Sequence, residues 1–438
     1  MARSCSWPFV IAALPLLGWC DAHRLPPLRA RVARMTARPS AENTRWETAR
    51  SGTFTFPPSI ATGTDMLGNA TNVPLASAAV PPRRFEALHH FEYKALRAIQ
   101  KLPGLLPFSL AVHYSLLPKV ITPLLALIVW LNSLPRGASL ITFVCANDCL
   151  NTALKWAVQR PRPRWYCPDE ADGLMNSCGA WEVDLSFPSA HTMFFAGLAS
   201  CAATLYGWPL AAAAVFGALI GLTRNFLSMH WPTDTAAGLV LGGLLGAAWG
   251  RLDPYAALLA AGSPLISLAA ASYFTLGLLC LMVASRQLVA PVAAAERATW
   301  FANALQSLDP DERARVIGDP RLQLKPRNLK SKVPMLTTVW CALAITGLYP
   351  HCLPSALNEP AGSIARRLAQ TLIGLVGLGG VSLLKLSVGK SVSRRVPTGK
   401  RRDTVKGLFK ALTYVALCSW TFLLSQRAAA LVFAVLRV

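Results

Sequence analysis

Residues 188–250 read PSAHTMFFAGLASCAATLYGWPLAAAAVFGALIGLTRNFLSMHWPTDTAAGLVLGGLLGAAWG, and this stretch decides the fold. It holds three apolar runs, near 188–206, 208–223 and 231–250, broken by Gly207-Trp208-Pro209 and by the polar link from Arg224 to His230. Each run approaches the ~20 residues that an α-helix needs to cross a bilayer. Small residues line them at helical spacing: Gly238, Gly242, Gly246 and Gly250 on the last, Gly217 and Gly221 on the one before. Such stripes let helices approach closely in lipid. They are packing features rather than chemistry.

Working outward, further apolar runs fall near 117–134, 138–156, 263–284, 334–350, 368–385 and 408–427, with 103–116 apolar enough to extend the first of them or to form a re-entrant piece. Of the 438 residues 53% are hydrophobic, only 15% are charged, and the formal net charge is +22. Soluble domains carry about 25% charged residues. The expected fold class is therefore all-α, a polytopic helical membrane bundle. The basic residues border apolar spans instead of forming one soluble basic domain, so they suit an anionic lipid surface and argue against nucleic acid as a partner.

The N-terminal region reads differently. Residues 1–20 carry Arg3 and a thirteen-residue apolar run from Trp7 to Trp19, too short to span and consistent with a signal peptide. Residues 21–82 are Arg-, Ala- and Pro-rich, fitting a disordered leader and linker, with a plastid-type transit peptide as one reading and a plain basic tail as the other. Residues 83–102 space Phe85, Leu88, Ala95, Leu96, Ile99 and Leu102 near helical periodicity, which predicts an amphipathic helix on the membrane surface. The remaining domains are a core over 103–285, a polar loop over 286–333 and a C-terminal membrane region over 334–438.

Eleven cysteines are scattered with no metal-binding spacing, mostly inside apolar runs. Cys167 and Cys178 share one polar loop, where an oxidising lumen would let them pair.

Three short polar stretches interrupt the apolar text. They are Lys155 with Arg162-Pro163, then Pro188-Ser189-Ala190-His191, then Arg224 with His230 and Asp234. Lysine and arginine at the end of one span offer a compact charge and a planar fork to an oxyanion. A proline at the start of a helix leaves the next N–H groups, those of Ser189 and Ala190, to face an anion. His230 and Asp234 stand four apart on one helix face, so the carboxylate can fix the imidazole tautomer and leave the other ring nitrogen as a nucleophile. The alternative for each alone is ordinary: cations anchoring helix ends in headgroups, a histidine satisfied by a neighbouring helix, a surface His–Asp pair. Counting spans places all three stretches at one membrane face.

Together they resemble the signature of the type 2 phosphatidic acid phosphatase and vanadium haloperoxidase superfamily, over roughly residues 117–250. Ala190 stands where that family has glycine, and Thr223 where it has serine. The resemblance implies a six-helix phosphatase core with extra C-terminal spans. It also implies an enzyme that hydrolyses a lipid phosphomonoester through a phosphohistidine. His230 would attack phosphorus, Asp234 would orient it, and His191 would protonate the leaving alkoxide. Lys155, Arg162, Ser189, Ala190 and Arg224 would bind phosphate, and no metal or other cofactor is required. Gln159 to Pro168 and Met229 to Asp234 look most like the sphingoid-base phosphate phosphatase branch. Phosphatidate and isoprenoid phosphates or diphosphates stay open as substrates. Two other classes compete: a vanadium-dependent haloperoxidase, which vanadate-dependent halide oxidation would reveal, and a non-catalytic transporter or scaffold, which a functional His230→Ala variant would favour.

Sidedness pulls two ways. Cations concentrate on the catalytic side, at Arg160 to Arg164, Arg313 to Lys332 and Lys385 to Lys410, which places that face in cytosol, matrix or stroma. A signal peptide would instead put Asn69-Ala70-Thr71 in a lumen as a glycosylation acceptor. The expected location is an endomembrane such as the endoplasmic reticulum, or a plastid membrane.

Overall fold

The computed structural model describes residues 86–115, 134–166, 184–306 and 329–346, with shorter pieces as far as residue 428. The leader, Asn69, Cys167, Cys178 and most of the run at 117–134 lie outside the described residues. Among those described, all regular structure is helical and no strand occurs.

In chain order the helices are α1 (Glu86–Gln100), α2 (Leu105–Ser115), α3 (Leu134–Val158), the single turn α4 (Pro163–Tyr166), α5 (Ala190–Tyr206), α6 (Leu210–Phe226) and α7 (Pro232–Leu252). They continue as α8 (Pro254–Ala261), α9 (Pro264–Leu288), α10 (Ala294–Gln306) and, after a 3-10 turn at Leu329–Lys332, α11 (Val333–Thr346). Two helical stretches, Pro232–Ala261 and Pro264–Leu288, are long and apolar enough to cross a membrane, with mean hydropathies of 1.2 and 2.0. Leu105–Tyr114, Leu210–Phe226 and Val333–Ile345 are shorter apolar helices. α6, α7 and α9 turn Val215, Leu219, Val240, Leu244, Leu265, Leu276 and Leu288 outward. Exposed apolar side chains in that number suit lipid better than water.

α5 and α7 form the tightest contact in the bundle, and glycine is the reason. A Cβ on Gly242 would sit 2.3 Å from the Met193 carbonyl oxygen, and one on Gly246 would sit 2.1 Å from that of Gly197. Gly238 and Gly250 meet the Ser189 and Cys201 carbonyls at 2.9 Å in the same way. The α7 stripe therefore lies against the α5 backbone along the length of that helix, with α6 on one flank through Gly217 and Ala196. α3 closes the other flank. Asn147 donates to the Met193 carbonyl at 3.0 Å and Asn151 to that of Pro188 at 3.3 Å. Both asparagines are buried, so each amide left unpaired would cost about 1–3 kcal/mol. These bonds fix the start of α5 relative to α3.

α1 is present where periodicity predicted a helix, but its faces are reversed. His89, Glu92, Tyr93 and Leu96 are buried, while Leu88, Phe91 and Leu102 are exposed. Leu96 is the only fully buried residue of the expected apolar set among those described. The polar residues face inward because they have partners there: Tyr93 donates to the Pro163 carbonyl at 2.5 Å, Gln100 to that of Phe226 at 2.9 Å, and His89 stacks on Trp231 at 4.3 Å. α10, in the expected polar loop, is helical and docks on α4, with Asn303 donating to the Trp165 and Tyr166 carbonyls.

Candidate active site

Four breaks in the bundle supply the site: the link from α3 to α4, the strand-less run 184–189, the C-terminal turn of α6 and the N-terminal turn of α7. Local chemistry places each. α5 begins at Ala190 because Ser189 caps it, its Oγ accepting from the Thr192 amide at 3.5 Å and the Thr192 hydroxyl at 3.0 Å. α7 begins at Pro232, whose missing N–H costs nothing at that position. Asp234, three residues past the Trp231 cap, accepts the Trp231 amide at 3.0 Å.

Two details depart from the sequence reading. Pro188 precedes the cap rather than opening the helix. The Ser189 N–H donates to the Asp234 carbonyl at 3.0 Å, so it ties α5 to α7 instead of facing an anion.

His230 is buried, and its Nδ1 lies 2.8 Å from the Ser186 carbonyl oxygen. A carbonyl can only accept, so Nδ1 carries the hydrogen and Nε2 keeps its lone pair. Asp234 Oδ2 is 3.7 Å from the same Nδ1, within ion-pair range but beyond a hydrogen bond. The direct carboxylate bond expected from the four-residue spacing is thus replaced by a main-chain carbonyl. The carboxylate instead accepts the Ser186 hydroxyl and the Trp231 amide on Oδ2 and Arg160 at 2.8 Å on Oδ1.

Arg162 approaches the other side of the ring. Its Nη1 is 3.3 Å from His230 Nε2 and donates to the Met229 carbonyl at 2.7 Å, while Nε donates to the Asp184 carbonyl at 2.6 Å. Lys155 donates to the neighbouring Leu185 carbonyl. Burial lowers the His230 pKa to about 3, with the Arg162 and Lys155 charges adding to the effect and Asp234 opposing it. The imidazole is therefore neutral at any physiological pH.

Arg224, fully buried on the last turn of α6, has Nη1 3.2 Å from His113 Nδ1 and Nη2 3.0 Å from Met229 Sδ. His113, on α2, faces His191 with ring centroids 6.1 Å apart and planes 18° from parallel. A continuous chain of contacts thus runs from His191 through His113, Arg224, Met229 and Arg162 to His230. Lys155 joins it through the 184–186 backbone and Ser189 through Asp234. Ala190 is the first residue of α5, beside Ser189.

A protein-family model described as the PAP2 superfamily matches residues 136–257. Over that segment the chain is similar to the PAP2 superfamily. That similarity points to phosphatase-type chemistry on phosphate esters, in proteins that are often membrane-bound. No curated protein and no solved structure gives a match. All eight expected site residues fall inside the PAP2 segment, as do Arg160 and Ser186, which sequence reasoning passed over. Glu92, His89 and His113 come from α1 and α2, outside it, and no motif spacing could have flagged them.

Proposed function

We propose that the chain is an integral-membrane lipid phosphate phosphatase working through a phosphohistidine. The observation that carries this reading is the two-sided hold on His230: a carbonyl at 2.8 Å fixes Nδ1–H, and Arg162 stands 3.3 Å from Nε2. The nucleophilic lone pair and an oxyanion-binding fork then point at one spot.

A phosphomonoester would enter with its non-bridging oxygens held by Lys155, Arg162 and Arg224, helped by Ser189 and the Ala190 region at the start of α5. Arg162 turns from the ring to the anion, and Nε2 attacks phosphorus in line with the leaving oxygen. The P–O bond breaks, and His191 gives its proton to the departing alkoxide. The ring of His230, now bonded to phosphorus, is positive, and the charge of Asp234 stabilises it. Water then attacks the phosphohistidine, His191 takes back a proton, and inorganic phosphate leaves. The outward apolar faces of α6, α7 and α9 favour a lipid phosphate as the ester that reaches this site. We favour a sphingoid-base phosphate, phosphatidate or isoprenoid phosphate as the ester, in an endomembrane or plastid membrane, with a six-helix core and further spans after it.

The test is phosphate release from a panel of lipid mono- and diphosphates by purified protein in detergent with EDTA. Release that persists in EDTA and falls by ~10³-fold or more in His230→Ala supports the reading. Absence of release across the panel, or loss on chelation, overturns it.

A further inference from the structure

The PAP2 segment leans on a helix outside itself. Arg160 is 4% exposed and spreads its guanidinium over four side chains. Nη1 donates to Asp234 Oδ1 at 2.8 Å and to Thr233 Oγ1 at 2.6 Å, Nη2 donates to Glu92 Oε2, and Nε donates to His89 Nε2 at 3.2 Å. Glu92, on α1, is 1% exposed, and its Oε1 accepts the Thr233 amide at 3.0 Å and hydroxyl at 2.5 Å. Two buried carboxylates therefore share one arginine. Thr233, adjacent to Asp234 in the chain, is held by both Glu92 and Arg160.

This sharing matters for His230. An arginine with Asp234 as its sole carboxylate would grip it with two parallel N–H bonds and draw its charge away from the imidazole. Here Glu92 takes one arm, so Asp234 receives the other, and its second oxygen stays on the His230 side with Ser186 and the Trp231 amide. The trio Glu92, Arg160 and Asp234 carries a net charge of −1, in surroundings where charge is poorly screened. That surplus is opposite in sign to the charge the His230 ring gains when Nε2 bonds to phosphorus. Stapling α1 to the bundle would not by itself require charge, since a buried ion pair is often no more stabilising than an apolar replacement.

We propose that Glu92 and Arg160 are positioning residues for the reaction at His230. A carboxylate supplied by α1 sets, through Arg160, the orientation and available charge of Asp234, making a helix outside the PAP2 segment part of the catalytic apparatus. The inference rests on the phosphohistidine reading for its kinetics, but it can be read without turnover.

The experiment compares the intact wild-type protein in detergent with Glu92→Gln, which keeps shape and removes charge, and with Thr233→Val. Two readouts are taken: kcat and KM on a lipid monophosphate, and calorimetric binding of orthovanadate and of inorganic phosphate. Orthovanadate gains a fifth bond from a histidine nitrogen, so its affinity reports His230 as a nucleophile, whereas phosphate reports the cation clamp. For Glu92→Gln the expected result is a kcat lower by roughly 10–100-fold, as for outer partners that orient metal-bound histidines, with KM changed less than about threefold. Vanadate binding should weaken by at least about tenfold while phosphate binding holds. Thr233→Val should move the same quantities in the same direction by less. Equal weakening of both anions, or kcat and KM unchanged, overturns the proposal. A wild type that releases no phosphate defeats the phosphatase reading, and the vanadate-to-phosphate comparison still decides this one. If Glu92→Gln fails to fold, Thr233→Val carries the same comparison.

Discussion

The Ser186 carbonyl oxygen, not the Asp234 carboxylate, is the nearest acceptor to His230 Nδ1, at 2.8 Å against 3.7 Å. The tautomer is fixed by the main chain, and the carboxylate is left to act at slightly longer range through charge. Ser186→Ala retains the carbonyl and deletes the hydroxyl, which donates to Asp234 and lies 3.4 Å from His230 Nδ1. It should lower kcat by less than about tenfold, whereas Asp234→Asn should lower it by roughly 10²–10⁴-fold. Asp234→Asn should also destabilise the fold by about 1–3 kcal/mol, because Arg160 keeps only Glu92 as a carboxylate partner and the Ser186 hydroxyl and Trp231 amide lose a charged acceptor. Steady-state kinetics and thermal unfolding of the two variants check this together.

The α5–α7 contact makes a sharp steric prediction. Gly242→Ala puts a methyl 2.3 Å from the Met193 carbonyl, where backbone must move, and should cost about 1–3 kcal/mol or more while displacing the start of α5 and lowering activity. Gly243→Ala, one residue on, meets nothing nearer than Ser200 Oγ at 3.7 Å and should be neutral or mildly stabilising, since alanine is the better helix former. Thermal unfolding of both variants in one detergent gives the comparison.

Two buried imidazoles set an acid limit on stability. Burial, with Arg160 beside it, lowers the His89 pKa to about 3, and burial with Arg162 does the same for His230. Both folded values lie below the usual 6.5. Between pH 6.5 and 3 the unfolded chain therefore binds protons that the folded chain does not, so stability falls as the pH drops through that window. His230→Gln should flatten the decline of unfolding temperature with pH by one proton's worth, and a double change with His89→Gln should flatten it further. Activity should show no inflection near pH 6.5 from His230, after allowance for the substrate's own second ionisation near 6.

Arg224 tests the far end of the contact chain. It reaches His113 and Met229 with two different nitrogens of one planar group, which lysine cannot copy. Arg224→Lys should reduce kcat/KM by roughly 10²-fold while leaving unfolding temperature within a few degrees, measured on the same lipid phosphate as wild type.

What the sequence made legible followed periodicity and spacing. Runs predicted near 138–156, 188–206, 208–223, 231–250 and 263–284 correspond to α3, α5, α6, α7 and α9 within a few residues, because uninterrupted apolar composition leaves a chain little choice but helix. The glycine stripe on α7 was readable as a contact face for the same reason. Partners that only tertiary structure creates were not readable. Arg160 sits in Arg160-Pro161-Arg162-Pro163-Arg164, where alternation hides which cation turns inward and motif spacing singles out Arg162 alone. Glu92 and His89 fall between the apolar positions of the amphipathic helix predicted over 83–102. Periodicity finds a helix's faces but not which one the protein will cover, and here buried Arg160 and Trp231 made the polar face the inner one. Ser186 acts through its carbonyl, which every residue has.

The proposed reaction turns on a bond between phosphorus and Nε2 of His230. Rapid acid-avoiding quench of the enzyme during turnover of a ³²P-labelled lipid phosphate, followed by peptide mapping, measures it directly. An acid-labile, base-stable label is expected on the peptide containing His230, absent in His230→Ala and accumulating when water attack is slowed by low temperature. A label on any other residue, or rapid phosphate release with no protein-bound label at the shortest resolvable times, would contradict it.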